Sequence, residues 1–183
     1  VMREVLKAEG IEVEGKALDA DDRPVRTDPK TWKSLSVHES PPLSLLVTTC
    51  LKNSQNLYAE HFLKTLGFTD YGVGSWEMGI LAMKDIFNEH GCNLDGEFIA
   101  DGSGLSRENR LSAQSLIQVL RIIAESPYKS LFVEALPCSG VDGTLKRRLN
   151  GSSTAGRIYA KTGTLNGVRS LSGYINARSG KTY

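Results

Sequence analysis

The sequence predicts an α+β fold, a helical cluster packed on an antiparallel sheet, and three observations carry that expectation. Helix-period apolar patterns dominate the middle of the chain between Leu43 and Leu136, the longest strand-like alternation comes towards the end, and an Asn-Gly pair separates its two stretches. At 183 residues, one domain with a core of useful size is the default. Hydrophobic residues make up 40% of the chain, and no apolar run is long enough to span a bilayer.

Taken in order, residues 1–17 read as a helix and then a short strand, with an apolar stripe of Val1, Val5 and Leu6 and a stop at Gly10. Residues 18–34 are polar, carry Asp21-Asp22-Arg23-Pro24 and Asp28-Pro29, and read as a loop. Ser34 to Val37 has strand character, and Pro41-Pro42 opens a helix that runs to about Lys52. The next helix is expected from Leu57 to Leu66, stopping at Gly67. Ser75 caps a helix from Trp76 to about His90 that Gly91 closes.

Phe98-Ile99-Ala100 reads as a short buried strand feeding the Gly- and Ser-rich loop Asp101 to Arg107. Ser112 caps a helix whose inward stripe is Leu116, Ile117, Leu120, Ile123 and Ala124. A shorter helix near Tyr128 to Leu136 and a loop from Pro137 to Ser153 lead to the final hairpin. Its strands hold Arg157 to Thr164 and Leu171 to Ala177, and Asn166-Gly167 supplies the turn.

The first hairpin strand carries Lys161-Thr162-Gly163-Thr164, which places an ammonium, two hydroxyls and a glycine at the end of an apolar run. That set of groups is suited to gripping a carboxylate. Alternation puts Lys161 and Gly163 on one face and Thr162 and Thr164 on the other, and the glycine lets a ligand backbone lie close to the strand. An isolated tetrad of this kind is more often a solvated lysine before a turn. A second element, Ser54-Gln55-Asn56, lies where one helical pattern stops and the next begins.

Ser-x-Asn followed by Lys-Thr-Gly is the second and third of the three motifs of serine penicillin-recognising enzymes. Four ordered blocks make the likeness specific: His38-Glu39-Ser40-Pro41-Pro42-Leu43, Ser54 to Glu60, Asp101-Gly102-Ser103-Gly104-Leu105-Ser106-Arg107, and Tyr159 to Leu165. Together they resemble the D-alanyl-D-alanine carboxypeptidase/endopeptidase family, the low-molecular-mass penicillin-binding proteins with inserted domains. The resemblance runs from about Val1 to the last residue. It implies a five-stranded sheet flanked by helices, with Ser54-Gln55-Asn56 and the Lys161 strand as opposite walls of a cleft.

The sequence departs from the family at its first motif, Ser-x-x-Lys, which carries the acylated serine. Ser126-Pro127-Tyr128-Lys129 fits the letters but falls between the second and third motifs, where its proline reads as a helix stop. The chain is therefore expected to be the carboxyl-terminal portion of a longer protein, its own first residues not reading as a secretory leader, and to form no acyl-enzyme alone.

By resemblance, Ser54 relays a proton towards the leaving nitrogen, and Asn56 orients the family's catalytic lysine and binds a substrate amide. Lys161 keeps the cleft electropositive, while Thr162 or Thr164 with Lys161 binds a terminal carboxylate. The strand at Gly163 and Thr164 lines the substrate, and the Thr164 backbone supplies an oxyanion donor. Ser54 could instead cap the helix starting near Asn56, and Asn56 could close the helix before it. The Asp101 block reads as a loop bracing the cleft, with Gly102 and Gly104 as turn residues.

The resemblance further implies a peptidoglycan stem peptide and β-lactam antibiotics as partners and a periplasmic or other extracytoplasmic location. It calls for no cofactor or metal, admits peripheral membrane association of the parent protein and leaves the oligomeric state open. Lys and Arg number 22 against 21 Asp and Glu, so no basic field points to nucleic acid. The short run Lys146-Arg147-Arg148 reads as a solvated patch. Cys50, Cys92 and Cys138 are spaced by 42 and 46 residues, which is no metal-ligand pattern, though a disulfide stays open. Cys50 reads as a small core residue, and His38, His61 and His90 form no triad pattern. Two other readings stand beside the peptidase. One is a β-lactamase-like hydrolase, for which no Glu-bearing deacylation loop is found; the other is a cell-wall peptide-binding module without a nucleophile.

Overall fold

A computed structural model describes residues 2–17, 28, 31, 33–34, 36–151 and 153–183. The chain forms two compact units, Val1–Ser40 and Pro41–Tyr183. In the first, helix α1 (Met2–Ala8) ends at Gly10, whose φ of 78° lets the Ile11 amide turn back onto the Leu6 carbonyl at 2.8 Å. The expected strand after it does not form: residues 11–14 join no strand among the described residues. Most of the polar stretch 18–34 lies outside the described residues, and Ser34, Ser36 and Val37 join no strand.

The second unit holds the helices α2 (Leu43–Asn53), α3 (Asn56–Tyr71), α4 (Trp76–Glu89), α5 (Ala113–Glu125) and α6 (Lys129–Ala135). They precede one antiparallel hairpin, β1 (Ile158–Leu165) and β2 (Val168–Ile175). Helices packed on an antiparallel sheet match the expected α+β class, with two strands among the described residues where the resemblance implied five. No helix among them is long and apolar enough to cross a membrane.

Helix α3 corrects the sequence reading. It runs straight through Gly67 and stops only at Gly72, in the left-handed conformation with φ 73°. Gly67 is there for contact: a Cβ on it would lie 2.6 Å from the backbone nitrogen of Gly79, and one on Gly79 would lie 2.2 Å from the Leu63 carbonyl oxygen. The two glycines bring the α3 and α4 backbones together, and no turn is involved. Ser75 caps α4 by accepting from the Met78 amide at 3.2 Å, and Ser112 caps α5 by accepting from Ser115 at 3.1 Å.

Two apolar assignments shift. Phe98 makes only an isolated bridge with Arg110 and stays 54% exposed, so the expected buried strand is absent. Of the expected inward stripe of α5, Leu116, Leu120, Ile123 and Ala124 are half-buried, whereas Ile117 faces solvent and Ser115, outside that stripe, is buried. The letters Ser126-Pro127-Tyr128-Lys129 resolve as a helix end: Ser126 Oγ donates to the Ile123 carbonyl at 2.8 Å and accepts from the Tyr128 amide. All three cysteines are free and buried.

The hairpin register pairs Leu165 with Val168 and Ile158 with Ile175 around the two-residue turn Asn166-Gly167. Gly167 alone of the two takes positive φ, at 80°, so the turn is not the form that needs both central residues left-handed. The last residues turn at Gly180 and come back along β2, where Ile175 and Tyr183 exchange backbone bonds of 2.8 and 2.9 Å. Tyr174 fastens the hairpin to the helices by donating to the Leu120 carbonyl at 2.6 Å.

Candidate active site

The C-terminal end of α2 places the first site residue. Ser54 closes that helix with φ 55° and ψ 54°, a left-handed conformation that costs a non-glycine residue roughly 1–2 kcal/mol. The turn is held by Cys50, whose carbonyl accepts from both the Ser54 and Gln55 amides and whose thiol donates to the Gln55 carbonyl. Gln55 occupies the capping position of α3 without a side-chain cap bond, so Ser54 caps neither helix with its hydroxyl. Asn56 is the first residue of α3, exposed and without a side-chain hydrogen bond among the described residues. It opens the second helix instead of closing the first.

Strand β1 brings the second wall. Lys161 donates to Ser54 Oγ at 2.8 Å across 107 positions of sequence, and to the Thr162 carbonyl at 2.6 Å. Burial draws the Lys161 ammonium below its ordinary value, and the neighbouring Cys50 works against that shift. Burial likewise pushes the Cys50 thiol up, with Lys161 pulling it back. The lysine is half-buried while Ser54, Asn56 and Thr164 are exposed, so the pair opens to solvent on the serine side.

Backbone directions along β1 follow from its first residues. Ala160 donates to the Pro137 carbonyl and Ile158 accepts from the Ser139 amide, so the polar groups of alternate residues 158, 160, 162 and 164 point away from β2. Beyond Ala160 that edge has no backbone partner among the described residues. The Thr164 amide therefore projects from a free edge, beside an exposed Thr164 side chain. Gly163 pairs with Ser170, and a Cβ on it would meet Ser170 Oγ at 2.2 Å.

Thr162 lies on the other face from Lys161 and donates to Thr144 Oγ1 at 2.8 Å. Thr144 stands in the short 3-10 turn Gly143–Leu145, between α2 and β1. That turn is clamped by Lys52, whose ammonium reaches Asp142 Oδ2 at 2.7 Å and the buried Leu136 carbonyl at 2.7 Å. Asp142 also accepts the Cys138 amide at 2.8 Å. The sequence reading missed Lys52, Asp142 and Thr144. Asp142-Gly143 carried a turn signal, but nothing local marks the lysine 90 positions away.

The Asp101 loop braces this arrangement. Asp101 accepts from the Gly104 and Ser106 amides and from Asn109 Nδ2, folding the loop on itself. Glu60 on α3 accepts from the Gly102 and Ser103 amides at 3.0 Å and from Trp76 Nε1 at 2.9 Å. Burial works to raise the Glu60 carboxyl, but the hydrogen bonds from Ser103, Trp76 and Gly102 win and hold it below the usual carboxylate range. Gly104 is a turn residue with φ 77°, whereas Gly102 is a contact glycine, its Cβ position lying 2.6 Å from the Ala59 carbonyl oxygen. Arg107 reaches the Asn166 carbonyl at 3.3 Å and ties the loop to the hairpin turn.

A strand lysine bonded to a serine at a helix junction, with helices on one antiparallel sheet, is the arrangement of the penicillin-binding fold. The solved penicillin-binding protein 4 of Haemophilus influenzae, crystallised with a novel β-lactam, superposes with a TM-score of 0.86 at 32% identity, over 99% of this chain and 41% of that one. The model of the D-Ala-D-Ala carboxypeptidase 3 (S13) family matches residues 1–183, and the chain belongs to that family. The D-alanyl-D-alanine carboxypeptidase of Actinomadura is 32% identical, and that named DacB of Haemophilus influenzae 34% identical, each over 99% of this chain. The chain spans about a third of their length, 34% and 37% respectively.

Proposed function

We propose that these residues form the Ser-x-Asn and Lys-Thr-Gly walls of the catalytic cleft of a serine-type D-Ala-D-Ala carboxypeptidase/endopeptidase. Residues 1–183 would be the second part of its catalytic domain, with the nucleophilic serine and its lysine supplied by a segment outside them. The substrate is a peptidoglycan stem peptide in the periplasm or an equivalent extracytoplasmic space, and β-lactams acylate the same cleft. Supporting this, the observation that carries the reading is the Lys161–Ser54 hydrogen bond, which joins the two motifs at 2.8 Å.

In this reading the nucleophile attacks the carbonyl of the penultimate D-Ala, and Ser54 passes a proton to the departing amine of the last residue. Lys161 keeps Ser54 next to a positive charge, which favours an oxygen that gives up and takes back a proton. The Thr164 amide at the free edge of β1 serves as an oxyanion donor, worth about 3–4 kcal/mol for a donor of this kind. Asn56, uncommitted to other side chains, is free to bind a substrate amide by donating and accepting at once. Thr162 and Thr164 bind the terminal carboxylate, with Lys161 supplying the field.

Intact-mass analysis of the full-length protein with benzylpenicillin, run beside release of D-alanine from an acyl-D-Ala-D-Ala peptide, tests the proposal. One covalent adduct and free D-alanine are expected from the full-length protein, and no adduct from residues 1–183 alone. Absence of both from the full-length protein contradicts the reading.

A further inference from the structure

Thr162 carries a requirement that its own motif does not meet. A threonine hydroxyl has one proton, so a hydroxyl that donates to a carboxylate has none left for a second acceptor. In this structure Thr162 spends its proton on Thr144 Oγ1 at 2.8 Å, and both residues are half-buried. Carboxylate binding by Thr162 therefore keeps the contact with Thr144 only if the pair reverses, with Thr144 turning to donate and Thr162 accepting from it while donating to the ligand. Both hydroxyls rotate, the hydrogen bond from Thr162 to Thr144 is exchanged for one in the opposite sense, and no covalent bond changes. A donor behind Thr162 also polarises its O–H towards the anion, which strengthens a charge-assisted bond.

The position of Thr144 is built from the same helix that presents Ser54. Lys52, two residues before Ser54 on α2, binds Asp142 and the Leu136 carbonyl, and Asp142 in turn takes the Cys138 amide. Gly143 packs so tightly here that a Cβ on it would lie 2.9 Å from the Lys52 carbonyl oxygen. Leu145 on the other side of Thr144 is fully buried. The hydroxyl of Thr144 is thus fixed relative to the end of α2 from both flanks.

We propose that Thr144 is a positioning residue for carboxylate recognition: a reversible hydroxyl pair with Thr162, held in register by the Lys52–Asp142 clamp. The proposal rests on the peptidase reading above. Its test is the rate of acylation of the full-length protein by benzylpenicillin and by benzylpenicillin methyl ester, for wild type, Thr144→Val and Thr144→Ser. Thr144→Val is expected to slow the free acid about tenfold, the equivalent of one hydrogen bond, while leaving the ester rate within about twofold of wild type. Thr144→Ser is expected to restore the acid rate. Equal slowing of acid and ester, or no slowing of either, overturns the positioning role. Failure of the wild type to acylate at all overturns the peptidase reading itself, and the two failures are therefore distinct.

Discussion

At the scale of single residues, Ser54 shows most clearly how the backbone and the proposed chemistry are joined. It is one of two described non-glycine residues with positive φ, and it sits where glycine would ordinarily close a helix. Strain retained at such a point is accounted for when the side chain has a partner elsewhere, here Lys161. Ser54→Gly should therefore unfold at a higher temperature than Ser54→Ala, with a gap of about 1 kcal/mol, because both lose the hydroxyl and only glycine relieves the backbone. Equal stability of the two variants would contradict the strain.

Lys161 gives a second residue-scale prediction, in pH. Its folded value lies below the ordinary 10.5, so between the two values the unfolded chain binds more protons than the folded one. Stability attributable to this group therefore rises with pH through that window, and the burial cost is present in full below it. The stability difference between wild type and Lys161→Met should move in favour of wild type as pH climbs towards 10.5, as read by denaturant midpoints across pH. A difference that is flat in pH, or that moves the other way, would count against the buried ammonium.

At the scale of elements, the contact of α3 with α4 and the anchored Asp101 loop hold the site's surroundings. Gly79→Ala would drive a methyl group to 2.2 Å from a backbone oxygen, which no rotamer change can relieve. A loss of about 3 kcal/mol is expected from such overpacking, measured by chemical unfolding of the full-length protein. Glu60→Gln keeps the shape but removes one of the two acceptor oxygens serving the loop amides and Trp76. It should cost about 1 kcal/mol, towards the low end because the group is partly exposed, and raise hydrogen exchange at Gly102 and Ser103. Since the folded Glu60 value is lowered, its stabilisation is present above the ordinary carboxylate range and is lost as pH falls through the folded value.

At the scale of the whole molecule, local signals were read well and long-range ones were not. The caps Ser75 and Ser112, the helix stop at Gly91 and the Asn166-Gly167 turn depend on a few neighbouring residues, so the sequence displays them. Gly67 misled because a glycine signals equally a turn and a close approach, and only the neighbouring helix decides between them. Ile117 and Phe98 are apolar residues left on the surface, which hydrophobic patterning cannot separate from inward ones. At the site, the family resemblance implied Ser54 and Lys161 on facing walls, and the two are hydrogen-bonded at 2.8 Å. The clamp of Lys52, Asp142 and Thr144 joins positions distant in sequence by a geometry that no spacing encodes.

The central claim, that Ser54 and Lys161 act as one unit, is tested most directly by a double-mutant cycle on benzylpenicillin acylation of the full-length protein. The variants are Ser54→Ala, Lys161→Met and the two combined, with second-order rate constants compared. The account predicts strong non-additivity: each single change slows acylation severely, and the double variant is little slower than the worse single. Losses that simply multiply would show two independent residues and contradict the shared site.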